Sequence, residues 1–142
     1  MYGYVKVGSA VPKLRVADCV YNKEEILKLV EAAAAKQVRV LSFPELSVTG
    51  YTCADLFFQT PLLHAAEQAI QEIAEATEAL NIFLLIGAPI AVDNQMFNCA
   101  VALYKGKLLG IVPKTHIPNY SEFYEQRQFA GAEEEDVEFV DF

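Results

Sequence analysis

The chain is 142 residues long, enough for one domain and too short for two. Hydrophobic residues make up 54% of it, which supplies material for a core and excludes a disordered chain. A net charge of −8 argues against a nucleic-acid partner and against an anionic membrane, since both call for a basic face.

Residues 3–9 alternate, Val5 and Val7 against Lys6 and Gly8, and read as a first strand. Asn22 followed by Glu25 has the form of an N-cap with its capping-box acid. Behind it Ile26, Leu29, Val30 and Ala33 recur at helical spacing, predicting a helix over about 23–36. The run Val38-Arg39-Val40-Leu41-Ser42-Phe43, stopped by Pro44, reads as a buried parallel strand over 38–43. Thr60 and Pro61 form an N-cap and first-turn pair for a second helix, with Leu62, Ala66, Ala69, Ile70, Ile73 and Leu80 as its apolar stripe. Residues 82–88 are apolar throughout and predict another central strand. Phe97–Tyr104 and Lys107–Val112 then flank Lys105-Gly106, a two-residue signal for an antiparallel hairpin. Across 114–131 periodicity is weak, and Ser121 is placed to cap a short helical turn through 124–128. Glu133-Glu134-Glu135-Asp136 reads as a solvated loop, and Val137–Phe142 as the start of a strand that the chain does not finish.

The pattern predicts an α/β fold with a mixed sheet and two helices on one face. The strands at 38–43 and 82–88 have no polar side to turn to water. Their other face therefore needs a cover, from further chain or from another subunit. The N-terminus lacks the basic start and long apolar centre of a signal peptide, and no apolar stretch reaches the ~20 residues that span a bilayer. Cys19, Cys53 and Cys99 are odd in number and far apart, without CxxC spacing. They read as reduced thiols of a cytoplasmic protein, with no metal site.

Two strand ends carry candidate chemistry. In Phe43-Pro44-Glu45-Leu46-Ser47-Val48-Thr49-Gly50-Tyr51 a carboxylate follows a buried parallel strand, where α/β proteins place their sites. Gly50 permits a tight return, and Tyr51 offers an aromatic wall with a hydroxyl tip. By position alone, Glu45 reads first as the cap of a turn or of the next helical segment. In Val112-Pro113-Lys114-Thr115-His116 a lone lysine follows another strand end. A lysine so placed is ordinarily a solvated charge, but the surrounding Pro, Tyr and Phe suggest a pocket wall. His116 has no second histidine nearby and reads as a structural or rim residue. Glu45 and Lys114 converge on one pocket if their strands are close in the sheet.

Phe43-Pro44-Glu45-Leu46 with Gly50-Tyr51 resembles the glutamate motif of the nitrilase, or carbon–nitrogen hydrolase, superfamily. Lys114 after Gly110-Ile111-Val112-Pro113 resembles its lysine motif. The string from Pro118 to Phe129, Pro-Asn-Tyr-Ser-Glu-Phe-Tyr-Glu-Gln-Arg-Gln-Phe, is similar to the glutaminase domain of glutamine-dependent NAD synthetases. So are the opening Tyr2-Gly3-Tyr4-Val5-Lys6-Val7 and the later Pro12–Asp18. The resemblance implies an αββα sandwich, with residues 1–142 as the N-terminal portion of the hydrolase domain. It also implies a Glu–Lys–Cys triad with Glu45 as general base and Lys114 as the cation at the developing oxyanion. Glu125 would orient Lys114 or the substrate amide, with Glu122 as the fallback. Tyr51, Tyr120 and Phe123 would line the glutamine site. No cysteine follows Lys114, so the nucleophile is expected outside this stretch and the fragment alone is expected not to hydrolyse glutamine. ATP and magnesium would belong to a synthetase domain in cis, since no phosphate-binding loop is present here. No cofactor or metal is expected in this stretch, and a homo-oligomer is implied. Two alternatives are another amidase of the superfamily, such as an ω-amidase or carbamoylase, and a non-catalytic α/β assembly module in which Glu45 and Lys114 merely tie two loops together.

Overall fold

A computed structural model describes residues 3–132, so the expected charge run at 133–136 and strand at 137–142 lie outside the described residues. Five strands form one sheet in the order β1-β2-β3-β4-β5: β1 Val7–Ser9, β2 Val40–Ser42, β3 Phe83–Val92, β4 Gln95–Tyr104 and β5 Lys107–Pro113. The first three are parallel and the last two antiparallel, which makes the sheet mixed. Helix α1 (Cys19–Ala35) joins β1 to β2, and α2 (Thr60–Ala76) joins β2 to β3. Both crossovers advance the same way along the sheet, so their right-handed paths put both helices on one face. Lys23 of α1 pairs with Glu72 of α2 across their seam. Leu41, Leu84, Ile86, Val101 and Leu103 point from the sheet into the core. They meet Ile26, Val30, Ala66, Ile70 and Ile73 of the helices.

Helix α1 starts four residues before the expected position. Asp18 is its cap, the carboxylate accepting from the Tyr21 N–H at 3.0 Å. Asn22, expected as the cap, lies inside the helix and is fully buried. Its side chain has other work: it donates to the carbonyls of Arg15 (2.8 Å) and Val48 (3.0 Å) and accepts from the Arg15 N–H (2.8 Å). Asn22 thereby stitches two loops to the helix, a role invisible in local pattern. In α2 the cap position falls on Gln59, so Thr60 is already helical. The Gln59 carbonyl accepts from the Leu62 N–H at 2.9 Å and no side chain caps the end. The stripe holds as far as Ile73, and Leu80 packs on the core from beyond the helix end.

The strands differ from expectation in length. β1 and β2 are three residues each, shorter than 3–9 and 38–43. β3 runs on through Pro89 to Val92, past the expected stop at 88. Odd-numbered residues of β3 turn their backbone groups toward β2 and the loop after it: Phe83 N–H donates to Arg39, and the Leu85 and Gly87 carbonyls accept from Phe43 and Val48. Pro89 falls in that set, beyond the end of β2, where a missing N–H costs no ladder bond. Asp93 and Asn94 then turn β3 into β4 with φ of 46° and 67°, the same geometry as Lys105-Gly106 at 49° and 76°.

The face of the sheet away from the helices is open among the described residues. By register it carries Val7, Val40, Phe83, Leu85, Gly87, Asn98, Ala100, Ala102 and Val112. Val7 and Val112 are 67% and 65% exposed, so this apolar face has no second layer here. No described helix is long and apolar enough to cross a membrane.

Candidate active site

The segment after β2 is held by its own backbone. Phe43 N–H donates to Leu85 O at 2.9 Å, and Val48 N–H to Gly87 O at 3.0 Å, so the segment clings to β3 after β2 has ended. The Ser47 hydroxyl accepts from the Gly87 N–H at 3.1 Å. Leu46 is fully buried at φ 52°, a left-handed backbone that a non-glycine residue adopts only when its surroundings enforce it. Gly50, at φ 89°, gives its N–H to the Leu46 carbonyl at 2.7 Å and closes the turn. With Leu46 drawn into the core, Glu45 is turned toward the open face of the sheet.

Lys114 follows β5, its backbone N–H donating to the Asn98 carbonyl at 2.8 Å. Its ammonium lies between two carboxylates. It donates to Glu45 at 3.0 Å (Oε2) and 3.2 Å (Oε1), and to Glu125 at 3.1 Å (Oε2) and 3.3 Å (Oε1). Glu125 comes from a short 3₁₀ turn, Glu125–Arg127. That turn is anchored by the Phe129 ring, packed edge-on against Phe57 with centroids 5.0 Å apart. Arg127 adds a bidentate pair with Asp55 at 2.8 and 2.9 Å. Glu125 is the most buried acid of the three-charge cluster, its side chain 7% exposed against 50% for Glu45.

Burial alone would pull the Lys114 ammonium below the ordinary lysine range. The hydrogen bonds and charges of Glu45 and Glu125 outweigh it, and its pKa ends above the usual 10.5. The Tyr51 hydroxyl donates to Glu125 Oε1, and burial, that bond and the two nearby carboxylates push its own pKa up. A cleft of about 220 Å³ opens beside the cluster, lined by Phe43, Pro44, Glu45, Leu85, Asn98 and Lys114 among others. That is less than the roughly 300–1,000 Å³ of a complete small-molecule pocket, in keeping with walls drawn from one sheet alone.

Glu45, Lys114, Glu125 and Tyr51 therefore meet at one place. Tyr51, expected to line a substrate site, gives its hydroxyl to Glu125. Tyr120 and Phe123 pair with each other edge-on at 5.8 Å, and neither borders the cleft. Glu122 and His116 are exposed and bond to none of the cluster among the described contacts. Ser121 sits at φ 52° within a turn and caps nothing, Tyr124 being the residue before the 3₁₀ turn. Two residues that build the site escaped the sequence. Gly87 lets the Glu45 segment lie against β3, and Asn98 gives its side-chain amide to Glu45 Oε2 at 2.8 Å. The available signal for Asn98 was a lone polar residue in the apolar run Met96–Leu103.

None of the three cysteines is activated. All are buried. Burial raises the Cys99 thiol to about 12; burial and the charges of Cys53 and Asp18 raise Cys19 to about 11; Cys53 is also raised, by burial. Cys99 adjoins the cleft, but by register its side chain turns to the helix side with Ala88 and Val101.

The chain belongs to the carbon–nitrogen hydrolase family, whose model matches residues 6–138, a stretch that includes the strand-end acid and the strand-end lysine. Within that family it is 35% identical over 133 residues to the glutamine-dependent NAD(+) synthetase of Mycobacterium leprae and 35% identical over 119 residues to that of Aquifex aeolicus. These alignments cover 94% and 84% of this chain. The chain spans only about a fifth of those relatives, 20% and 21% of their lengths. The crystal structure of a glutamine-dependent NAD(+) synthetase from Cytophaga hutchinsonii superposes with a TM-score of 0.87 at 28% identity, over 92% of this chain and 22% of that one. An amidase from Nesterenkonia sp., 21% identical with a TM-score of 0.72, shares the fold over 88% of this chain and 48% of its own.

Proposed function

We propose that this stretch supplies the acid and the amine of a glutamine amide hydrolase, within an enzyme that passes the ammonia to an ATP- and magnesium-dependent synthetase domain amidating deamido-NAD. One observation carries the reading: Lys114 is clamped between Glu45 and Glu125, at 3.0 and 3.1 Å, in a cleft at the strand ends. An amide is a poor electrophile with a poor leaving group, and thiol attack divides its hydrolysis into two easier steps. Glu45 takes the thiol proton as sulfur bonds to the amide carbon, then returns it to the departing ammonia. Lys114 holds positive charge where the carbonyl oxygen becomes negative; losing one such donor in other enzymes costs about 10²–10³ in rate. Glu125, with Tyr51 on its far side, fixes the ammonium.

The nucleophilic thiol comes from residues outside these 142, because Cys19, Cys53 and Cys99 are buried with raised pKa values. This stretch alone therefore hydrolyses no glutamine. The open apolar face of the sheet is covered in the whole protein by the remainder of the hydrolase domain, completing an αββα sandwich in a cytoplasmic homo-oligomer. The test is direct. In the intact enzyme, Glu45→Ala and Lys114→Ala are expected to lower glutamine-dependent synthesis by at least about 10²-fold relative to ammonia-dependent synthesis in the same preparation. Equal loss of both activities would remove the assignment.

A further inference from the structure

We propose that Asn98 is the positioning residue of this site and selects Glu45 Oε1 as the oxygen that takes the thiol proton; this rests on the amide-hydrolase reading above. Asn98 lies in β4 between apolar neighbours and is 3% exposed. A buried amide is tolerated only where its polar atoms find partners. The Asn98 side-chain amide N–H donates to Glu45 Oε2 at 2.8 Å, and the Asn98 backbone carbonyl accepts from the Lys114 backbone N–H at 2.8 Å, so one residue meets both members of the catalytic pair. The amide orientation follows from chemistry, since its oxygen against a carboxylate would oppose two acceptors.

The consequence is an asymmetric carboxylate. Oε2 accepts from Asn98 at 2.8 Å and from Lys114 at 3.0 Å, whereas Oε1 accepts only from Lys114, at 3.2 Å. Oε1 keeps the lone pair free to receive a proton. As sulfur bonds to the amide carbon, the thiol proton moves to Oε1 and the carbonyl electrons move to oxygen. When they return, the C–N bond breaks and Oε1 hands its proton to the leaving nitrogen. Without Asn98, a half-exposed glutamate at a strand end would rotate among several conformers, few of them aligned for transfer.

The test uses the intact enzyme and separates kcat from KM for glutamine hydrolysis. Asn98→Leu keeps the shape and removes the donor. We expect kcat to fall by about 10²-fold with KM nearly constant, because Asn98 is assigned no substrate contact. Asn98→Asp is isosteric but offers an acceptor, so kcat should fall at least as far. A residue that only filled space would let Asp restore turnover, and that result would overturn the proposal. Should Asn98→Leu fail to fold, Asn98→Ser, too short to reach Oε2, is expected to show the same kcat loss. Wild-type kcat in any folded variant refutes the role. Glu45→Gln separates the two levels. If it keeps turnover, the hydrolase reading itself fails. If it silences the enzyme while Asn98→Leu or Asn98→Ser does not, the positioning role alone is wrong.

Discussion

Replacing Gly87 with alanine tests how the Glu45 segment is held. A Cβ built at this position would stand 2.3 Å from Leu46 N, 2.5 Å from Pro44 O and 2.8 Å from Glu45 C. All three are backbone atoms, so no rotamer change relieves the clash. Ordinary contact begins near 3.4 Å, so the segment must withdraw by about 1 Å. Gly87 has no left-handed backbone, so the cost is steric. Overpacking of this kind costs about 1–3 kcal/mol. The bonds from Val48 N–H (3.0 Å) and to Ser47 Oγ (3.1 Å) weaken with it, each worth about 0.5–1.5 kcal/mol. A stability loss of about 2–4 kcal/mol is expected, read as a lower denaturant midpoint at unchanged slope. In the intact enzyme, on the proposed reading, a 1 Å displacement of Glu45 is also expected to lower glutamine turnover by about 10²-fold in molecules that remain folded. A Gly87→Ala protein with wild-type midpoint and turnover would refute the close approach as the device that positions the acid.

Three further outcomes follow from the same geometry. The Lys114 pKa is raised in the folded state, so its contribution to stability is fully present below the ordinary value of 10.5 and drains away as pH climbs through the folded value; above pH 10.5 the stability of the wild type should fall more steeply than that of Lys114→Met, and parallel curves would contradict the pairing. Cys19, Cys53 and Cys99 should resist alkylation near pH 8 in the native protein and react only on unfolding, since all are buried with raised pKa values; rapid native labelling of any one, mapped by mass spectrometry, would show that thiol to be available as a nucleophile. Tyr51→Phe removes the donor to buried Glu125 and should cost about 1–3 kcal/mol in stability, measured by denaturant unfolding, because a charged acceptor loses its partner; a neutral result would make the contact incidental.

The long-period features were legible in the sequence because they are local: the stripe Leu62–Ile73, the apolar β3 run and the Lys105-Gly106 turn each declare themselves within a dozen residues. Glu45 and Lys114 were legible as strand-end charges. What the pattern did not disclose depends on partners far along the chain. Asn22 matches an N-cap rule, yet its amide goes to Val48, 26 residues away. The strand expected to stop at 88 runs on through Pro89, because the missing N–H falls where β2 has already ended. Tyr120 and Phe123 have the composition of a pocket wall and pack edge-on against each other, whereas Tyr51 reaches a carboxylate 74 residues on. Asn98 is an ordinary strand residue until β5 and the Glu45 segment are laid on either side of it.

The composition of the charge cluster bears on whether it is a site or a strut. A structural tie between two loops needs one acid and one base, and a pair of that kind is often no more stabilising than an apolar substitute. Here two carboxylates share one ammonium, so the cluster carries a net negative charge, and the more buried acid needs Tyr51 as well as Lys114 to offset its burial. The second acid adds like-charge repulsion that a strut would gain nothing from. On the hydrolase reading proposed above, it would hold the lysine fixed while Glu45 changes protonation: a proton on Oε1 weakens the hold of Glu45 on Lys114, and Glu125 would keep the ammonium in place. In the intact enzyme, Glu125→Gln therefore separates the two: a strut predicts equal or better stability with no loss of turnover, whereas a cycling site predicts a folded protein with glutamine turnover reduced by about 10²-fold.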